Sequence, residues 1–150
     1  MALTIALVAA SRRQRGTICR AVDQYDLSPV FRRARDFCER TYGEWYILSA
    51  RHYVLSPQQV IGPDDTHVSL LDADDRFIWA KHVARVLIAR QERSAEPVHF
   101  ALYASQRYAD LLQRAAPTLT FELPLSGLGL VERLRWFDQR LRVRSRVLAR

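Results

Sequence analysis

Lysine is almost missing from this 150-residue chain: Lys81 is the single one, and every other basic residue is arginine. Cysteine is nearly as scarce, and Cys19 and Cys38 stand in neither metal-ligand nor redox spacing. That excludes a disulfide framework or a zinc knuckle, suits the reducing cytoplasm where the protein is expected, and leaves both thiols as small buried hydrophobes. His67, His82 and His99 have no cysteine or carboxylate neighbour in metal-binding register, so no metal or other cofactor is expected. No stretch approaches the roughly 20 apolar residues of a membrane span, so no membrane partner is expected. Low-complexity tracts and repeats are also absent. The opening MALTIALVAASRRQR has an apolar run, but its arginines follow that run, whereas a secretory signal carries its positive charge first.

What is present is a chain of about one domain, long enough to bury roughly two thirds of its unfolded surface without help from disulfides or metal. The formal net charge is +7 and the sequence pI about 10.1, which favours polyanionic or phosphorylated partners, a nucleotide or nucleic acid, without choosing among them. The arginine bias reflects GC-rich coding as readily as phosphate recognition.

Leu3 to Ala10 is almost continuously apolar, the pattern of a strand covered on both faces. Ser28 caps a helix with Pro29 at its first position, and Val30, Phe31, Ala34, Phe37 and Cys38 recur at helical spacing until Gly43. Trp45 to Ser49 reads as the second strand. Ser56-Pro57-Gln58-Gln59 has the form of a capping box and predicts a short helix, and Ile61 to Asp65 a turn or loop. A helix spans about Asp75 to Gln91 with Trp79, Val83, Val86 and Leu87 on one face. Val98 to Tyr103 is the third strand, Ser105 to Ala116 a helix that stops before Pro117, and Thr118 to Leu123 the fourth strand. A turn through Ser126, Gly127 and Gly129 leads to a terminal helix carrying Leu130, Leu134, Phe137 and Leu141. Strands alternating with helices predict a single three-layer α/β domain over residues 1–150, with a mainly parallel sheet of about four strands and flanking helices.

In that architecture ligands bind outside the carboxyl ends of the strands, where this chain places Ser11-Arg12-Arg13, Ser49 with Arg51 and His52, Ser105, and Gly127 with Gly129. Arg51 offers fixed donors suited to phosphate or carboxylate, and His52 exchanges a proton near neutral pH; the plainer reading is a surfaced loop. Asp64 and Asp65 supply carboxylates near that pair, or simply terminate a turn. Ser11, Arg12 and Arg13 could contact phosphate but lack a glycine until Gly16, so they match no phosphate-loop signature. The glycines at 127 and 129 either belong to a site or permit a tight connection. Arg133, Arg135, Arg140, Arg142, Arg144, Arg146 and Arg150 could track a phosphate backbone, or complement the dipole of their own helix as a solvated face.

WYILSARHYVLSPQQVI followed by Gly62-Pro63-Asp64-Asp65 resembles the bacterial and phage family called domain of unknown function 6884, whose members have a tryptophan-rich strand and a Leu-Ser-Ala-Lys-x-Gly-Leu type turn. The likeness continues through Tyr25, Ser28 to Phe31, Trp79 and PLSGLGLVERLRW. A fainter likeness reaches the peroxide-stress YaaA family, which is linked to DNA binding. Departures stand at Ser11-Arg12-Arg13, where relatives carry cysteine and lysine; at Tyr53, where they carry glycine; and at Asp64, where they carry tyrosine. The resemblance implies nucleic acid or base metabolism; together with the strand-end placement of the polar residues it leads us to expect an enzyme acting on a nucleobase, nucleotide or nucleic acid, such as an N-glycosidic bond hydrolase or base-exchange enzyme. In that reading Asp65 orients water or stabilises a sugar cation, and His52 assists the departing base. Arg51 and Arg12 hold phosphate, with Ser11, Arg13, Ser49 and Ser105 lining the site, and Tyr25 or Tyr53 stacks on the base. The alternatives are a nucleic-acid-binding module built on the basic terminal helix, and an accessory subunit that uses Trp79 or Trp136 at a protein interface.

Overall fold

The computed structural model describes the backbone of residues 2–148 and the side chains of residues 2–142. The first half runs β1 (Leu3–Ala9), β2 (Cys19–Arg20), α1 (Ala21–Gln24), α2 (Pro29–Thr41), β3 (Trp45–Ser49), β4 (Tyr53–Leu55) and β5 (Val60–Ile61). A single 3-10 turn, Val68–Leu70, leads to α3 (Ala73–Glu92), β6 (Val98–Tyr103), α4 (Gln106–Ala115), β7 (Thr120–Glu122) and α5 (Leu130–Leu148).

Five strands form the main sheet in the order β4-β3-β1-β6-β7, and β2 pairs with β5 in a small second sheet. β1 lies parallel to β3 on one side and to β6 on the other, and β6 lies parallel to β7. The expected fourth strand is present but shorter, β2 and β5 were not expected, and neither was β4 in the main sheet, which folds back antiparallel on β3, pairing Ser49 with Tyr53 and Ile47 with Leu55. The alternation of side chains along β1 sends Ala6 and Val8 to one face and Ile5 and Leu7 to the other. Phe31, Ala34 and Phe37 of α2 and Phe137 of α5 cover the first face; Trp79, Val83 and Leu87 of α3 and Leu112 of α4 cover the second. Both faces of β1 and β6 are therefore dry, which is why their sequences are nearly continuous apolar runs.

The helix starts follow from their caps. Ser28 accepts from the Phe31 amide at 3.2 Å, with Pro29 at the first position, and Asp72 accepts from the Asp75 amide at 2.8 Å. Glu44, just before β3, takes two hydrogen bonds from Arg90 near the end of α3, at 2.8 and 2.9 Å, and a third from the Tyr46 hydroxyl at 2.6 Å. These bonds hold the Glu44 carboxyl below its usual range.

Two expectations fail here. Residues 56–59 form a turn, not a helix, because the Gln59 amide closes back on the Ser56 carbonyl at 3.1 Å. The carbonyls of Pro57 and Gln59 are then taken by the amides of Val22 and Ala21 at the start of α1, which leaves none for a second helical turn. Val86, placed on the buried face of α3, is exposed instead.

Candidate functional site

The route from β1 to β3 passes on one side of β1, and the chain then crosses to β6 on the other. The carboxyl ends of β1, β3 and β6 thus flank the point where the connections diverge, the place where such sheets leave a crevice for ligands. Two concavities occupy this edge.

The first is built by the three-residue turn joining β3 to β4. Ser49 ends β3 and is buried; its hydroxyl accepts the backbone amide of His52 at 3.2 Å, and its carbonyl accepts the indole N–H of Trp79 at 2.9 Å. The turn closes at Tyr53, the one described residue other than glycine with a positive φ, 61°. A left-handed residue is what a three-residue hairpin loop requires at that place. The Tyr53 ring stacks on His82 of α3 with centroids 4.9 Å apart. Between these anchors Arg51 is thrown into solvent and His52 is half-buried.

Opposite the turn runs the segment Gly62 to His67. Gln14, in the loop after β1, clamps it by accepting from the Asp64 amide at 3.0 Å and donating to the Asp64 carbonyl at 2.9 Å. One carboxylate oxygen of Asp64 is occupied by the Thr66 amide at 2.8 Å and the Thr66 hydroxyl. At the end of the segment the His67 ring bridges back to β1. Its Nδ1 accepts the Ser69 amide at 3.1 Å, so the proton lies on Nε2 and is donated to the Ala10 carbonyl, also at 3.1 Å. Burial, and then the nearby charge of Arg12, hold the His67 pKa below its ordinary value, against the raising effect of the Ala10 hydrogen bond.

Arg51, His52, Asp64 and Asp65 together line an open depression of about 500 Å³. Among the described residues the side chains of Arg51, His52 and Asp65 make no hydrogen bond or ion pair, so the depression presents a cation, an imidazole and a carboxylate with their bonding capacity intact. Asp64, by contrast, spends part of its capacity on Thr66 and serves the shape of the loop.

The second concavity is a crevice of about 190 Å³ between the ends of β1 and β6. It brings together Ser11, Ser105, His67, Tyr108, Ser28 at the start of α2, and Arg133 in the first turn of α5. Ser11 donates to the Arg13 carbonyl at 2.7 Å, and Arg133 donates to the Leu128 carbonyl at 3.1 Å. Ser105 precedes α4 without a capping bond, so its hydroxyl faces the crevice unspent. The Gly62 to His67 segment borders both concavities, with Gly62 and Asp65 on the depression and His67 on the crevice.

Several expected site residues stand elsewhere. Tyr25 is 1% exposed, edge-on to Phe31 at 5.5 Å, and its hydroxyl meets Ser49; it has no face to offer a base and instead supports the turn from beneath. Trp79 is 2% exposed and belongs to the core rather than to an interface. Arg12 and Arg13 are exposed beside the crevice and line neither concavity. Gly127 has φ 78° and forms the turn into α5, and Gly129 belongs to the same turn; neither lines a concavity. In α5, Arg140 lies over the Trp136 ring at 3.7 Å and Arg142 donates to the Asp138 carbonyl at 3.3 Å, while the side chains of Arg144, Arg146 and Arg150 are outside the described residues. Sequence reasoning missed Gln14 and Tyr108, named Arg133 only as part of the basic terminal helix, and gave His67 no role. Only the strand-end rule pointed toward them, and it names an edge rather than residues. Among the described residues no three His, Cys, Asp or Glu side chains cluster to hold a metal, and no helix is long and apolar enough to cross a membrane.

The chain is thus a three-layer α/β domain whose polar residues converge on the carboxyl edge of its sheet. It belongs to the DUF6884 family, a family of unknown function, whose model matches residues 5–139. No curated protein matches it.

Proposed function

We propose that the protein is an enzyme acting on a nucleobase, nucleotide or nucleic acid, and that its reaction is cleavage of an N-glycosidic bond at the depression beside the β3–β4 turn. The observation that carries this reading is the placement of Arg51, His52 and Asp65 around one open concavity, each without a partner among the described residues. Asp65 orients a water and receives its proton as the water oxygen bonds to the sugar's anomeric carbon. The carbon–nitrogen bond breaks with its electron pair passing to the base, and protonated His52 donates a proton to that base. Arg51 meets the phosphate with its planar fork of donors. Base exchange uses the same atoms with a second base in place of water.

Release of free base from nucleosides, nucleoside monophosphates and short oligonucleotides, followed by chromatography, tests the proposal. Release that falls at least a hundredfold in both Asp65→Asn and His52→Ala is the expected result. No release from any of the three substrate classes, or release unchanged in the two variants, overturns it. The net charge of +7 favours one other reading, a nucleic-acid-binding module acting through α5. Its signature is oligonucleotide affinity that falls steeply with salt and is indifferent to Asp65.

A further inference from the structure

On the other face of the sheet a further cavity, about 430 Å³, opens between the 3-10 turn, the first turn of α3 and the length of α4. It shares no lining residue with the depression of Arg51 and His52. Val68, Tyr108 and Leu111 give it apolar walls, and Arg76, Arg107 and Arg114 stand around them. The one carboxylate there, Asp110, takes the Gln106 amide at 2.9 Å and makes no ion pair with any of the three arginines among the described residues. Arg76 is fixed through Nε to the Val68 carbonyl at 3.2 Å and through Nη2 to the Ser69 carbonyl at 3.1 Å, leaving Nη1 uncommitted. The Arg114 guanidinium lies over Phe77, 5.0 Å from the ring centroid, and Arg107 has no hydrogen bond or ion pair among the described residues. Tyr108 is locked edge-on against Trp79 at 5.8 Å, and burial pushes its pKa up to about 12, so its hydroxyl stays a donor across the physiological range.

Three guanidinium groups around apolar walls repel one another, and a carboxylate already in the cavity does not neutralise them. The arrangement becomes favourable when an anion enters, and the walls then cover whatever apolar body that anion carries. Its volume lies within the range of small-molecule sites. We propose that this cavity is a second ligand site, taking an organic phosphate with a flat apolar ring: the ring lies between Tyr108, Val68 and Leu111, and the phosphate meets Arg107 and Arg114. Through His67, Ser105 and Tyr108 the cavity shares a wall with the crevice between β1 and β6.

The test is isothermal titration with adenosine monophosphate and phenyl phosphate, with adenosine and inorganic phosphate as controls. The proteins compared are the natural chain, an Arg107→Gln/Arg114→Gln double variant and an Arg51→Gln/Asp65→Asn double variant. Both arginines of the first pair are exposed on α4, so that variant should fold, and its melting temperature verifies this. The proposal expects phenyl phosphate, which has no N-glycosidic bond for the depression to act on, to bind more tightly than both controls, to lose tenfold or more in affinity in the α4 variant, and to keep it in the other; adenosine monophosphate, which the depression also holds in the proposed function, should lose affinity in the α4 variant as well. Binding by neither, binding that inorganic phosphate equals, or equal binding by the α4 variant overturns it. Affinity lost only in the Arg51→Gln/Asp65→Asn variant also overturns it, and leaves the depression as the phosphate site.

Discussion

Tyr53 sits at φ 61°, in the left-handed region where glycine is the usual residue. An L-residue in left-handed backbone carries a penalty of roughly 1–2 kcal/mol, and glycine carries none. Glycine in turn loosens the unfolded chain, which gives back roughly 0.4–1 kcal/mol. Comparing Tyr53→Gly with Tyr53→Ala cancels the other change, because both lose the ring contact with His82 at 4.9 Å. What remains is a backbone difference of roughly 0.5–1 kcal/mol in favour of glycine. For a domain of this length each kcal/mol moves the melting temperature by roughly 2–4 °C, so Tyr53→Gly should melt about 1–4 °C above Tyr53→Ala in paired calorimetric scans. If alanine melts at or above glycine, the turn does not hold residue 53 in the left-handed region, and the placement of Arg51 and His52 derived from it is wrong.

Three further outcomes follow from named contacts. Because the folded state holds His67 below its ordinary pKa near 6.5, its contribution to stability is complete above that value and is lost as pH falls below it. Urea unfolding at pH 7.5 and 5.5 should therefore show a smaller acid loss in His67→Ala than in the natural chain. Trp79→Phe removes the only indole donor to the Ser49 carbonyl and should cost about 1–2 kcal/mol in urea unfolding, more than the lost ring area alone. Gln14→Ala releases both bonds to Asp64, so hydrogen exchange at the Asp64 amide should quicken roughly tenfold while amides of β1 and β6 stay as slow as before.

The layers of this fold were legible where burial on both faces leaves its mark in composition. β3 and β6 fall on the residues their apolar runs indicate, and β1 ends one residue earlier than its run. β2 and β5 are two residues each, too short for any periodicity to register. β4 was hidden for a physical reason: a hairpin at this place normally declares itself with glycine, and here a tyrosine takes the left-handed position, held by a ring contact from α3 that no local pattern encodes.

The same distinction divides the site. Arg51 and His52 could be singled out because they follow β3 within a few residues, so strand-end reasoning reaches them without knowledge of packing, while Asp65 stood out only as a carboxylate in the turn after Pro63. The crevice was reached only through Ser11 and Ser105, and the α4 cavity only through Ser105, since their other residues come from the ends of β1 and β6, the starts of α2 and α5, the 3-10 turn, α3 and α4, which meet only once the sheet order is known. Tyr25 shows the converse. Its ring belongs beneath the turn, where its hydroxyl meets Ser49, and Ser49 in turn holds His52 through a backbone amide. Tyr25 therefore serves the turn from the core, and the side chains at the mouth of that turn, Arg51 and His52, are where, on the proposed function, substitution should change chemistry without changing the fold.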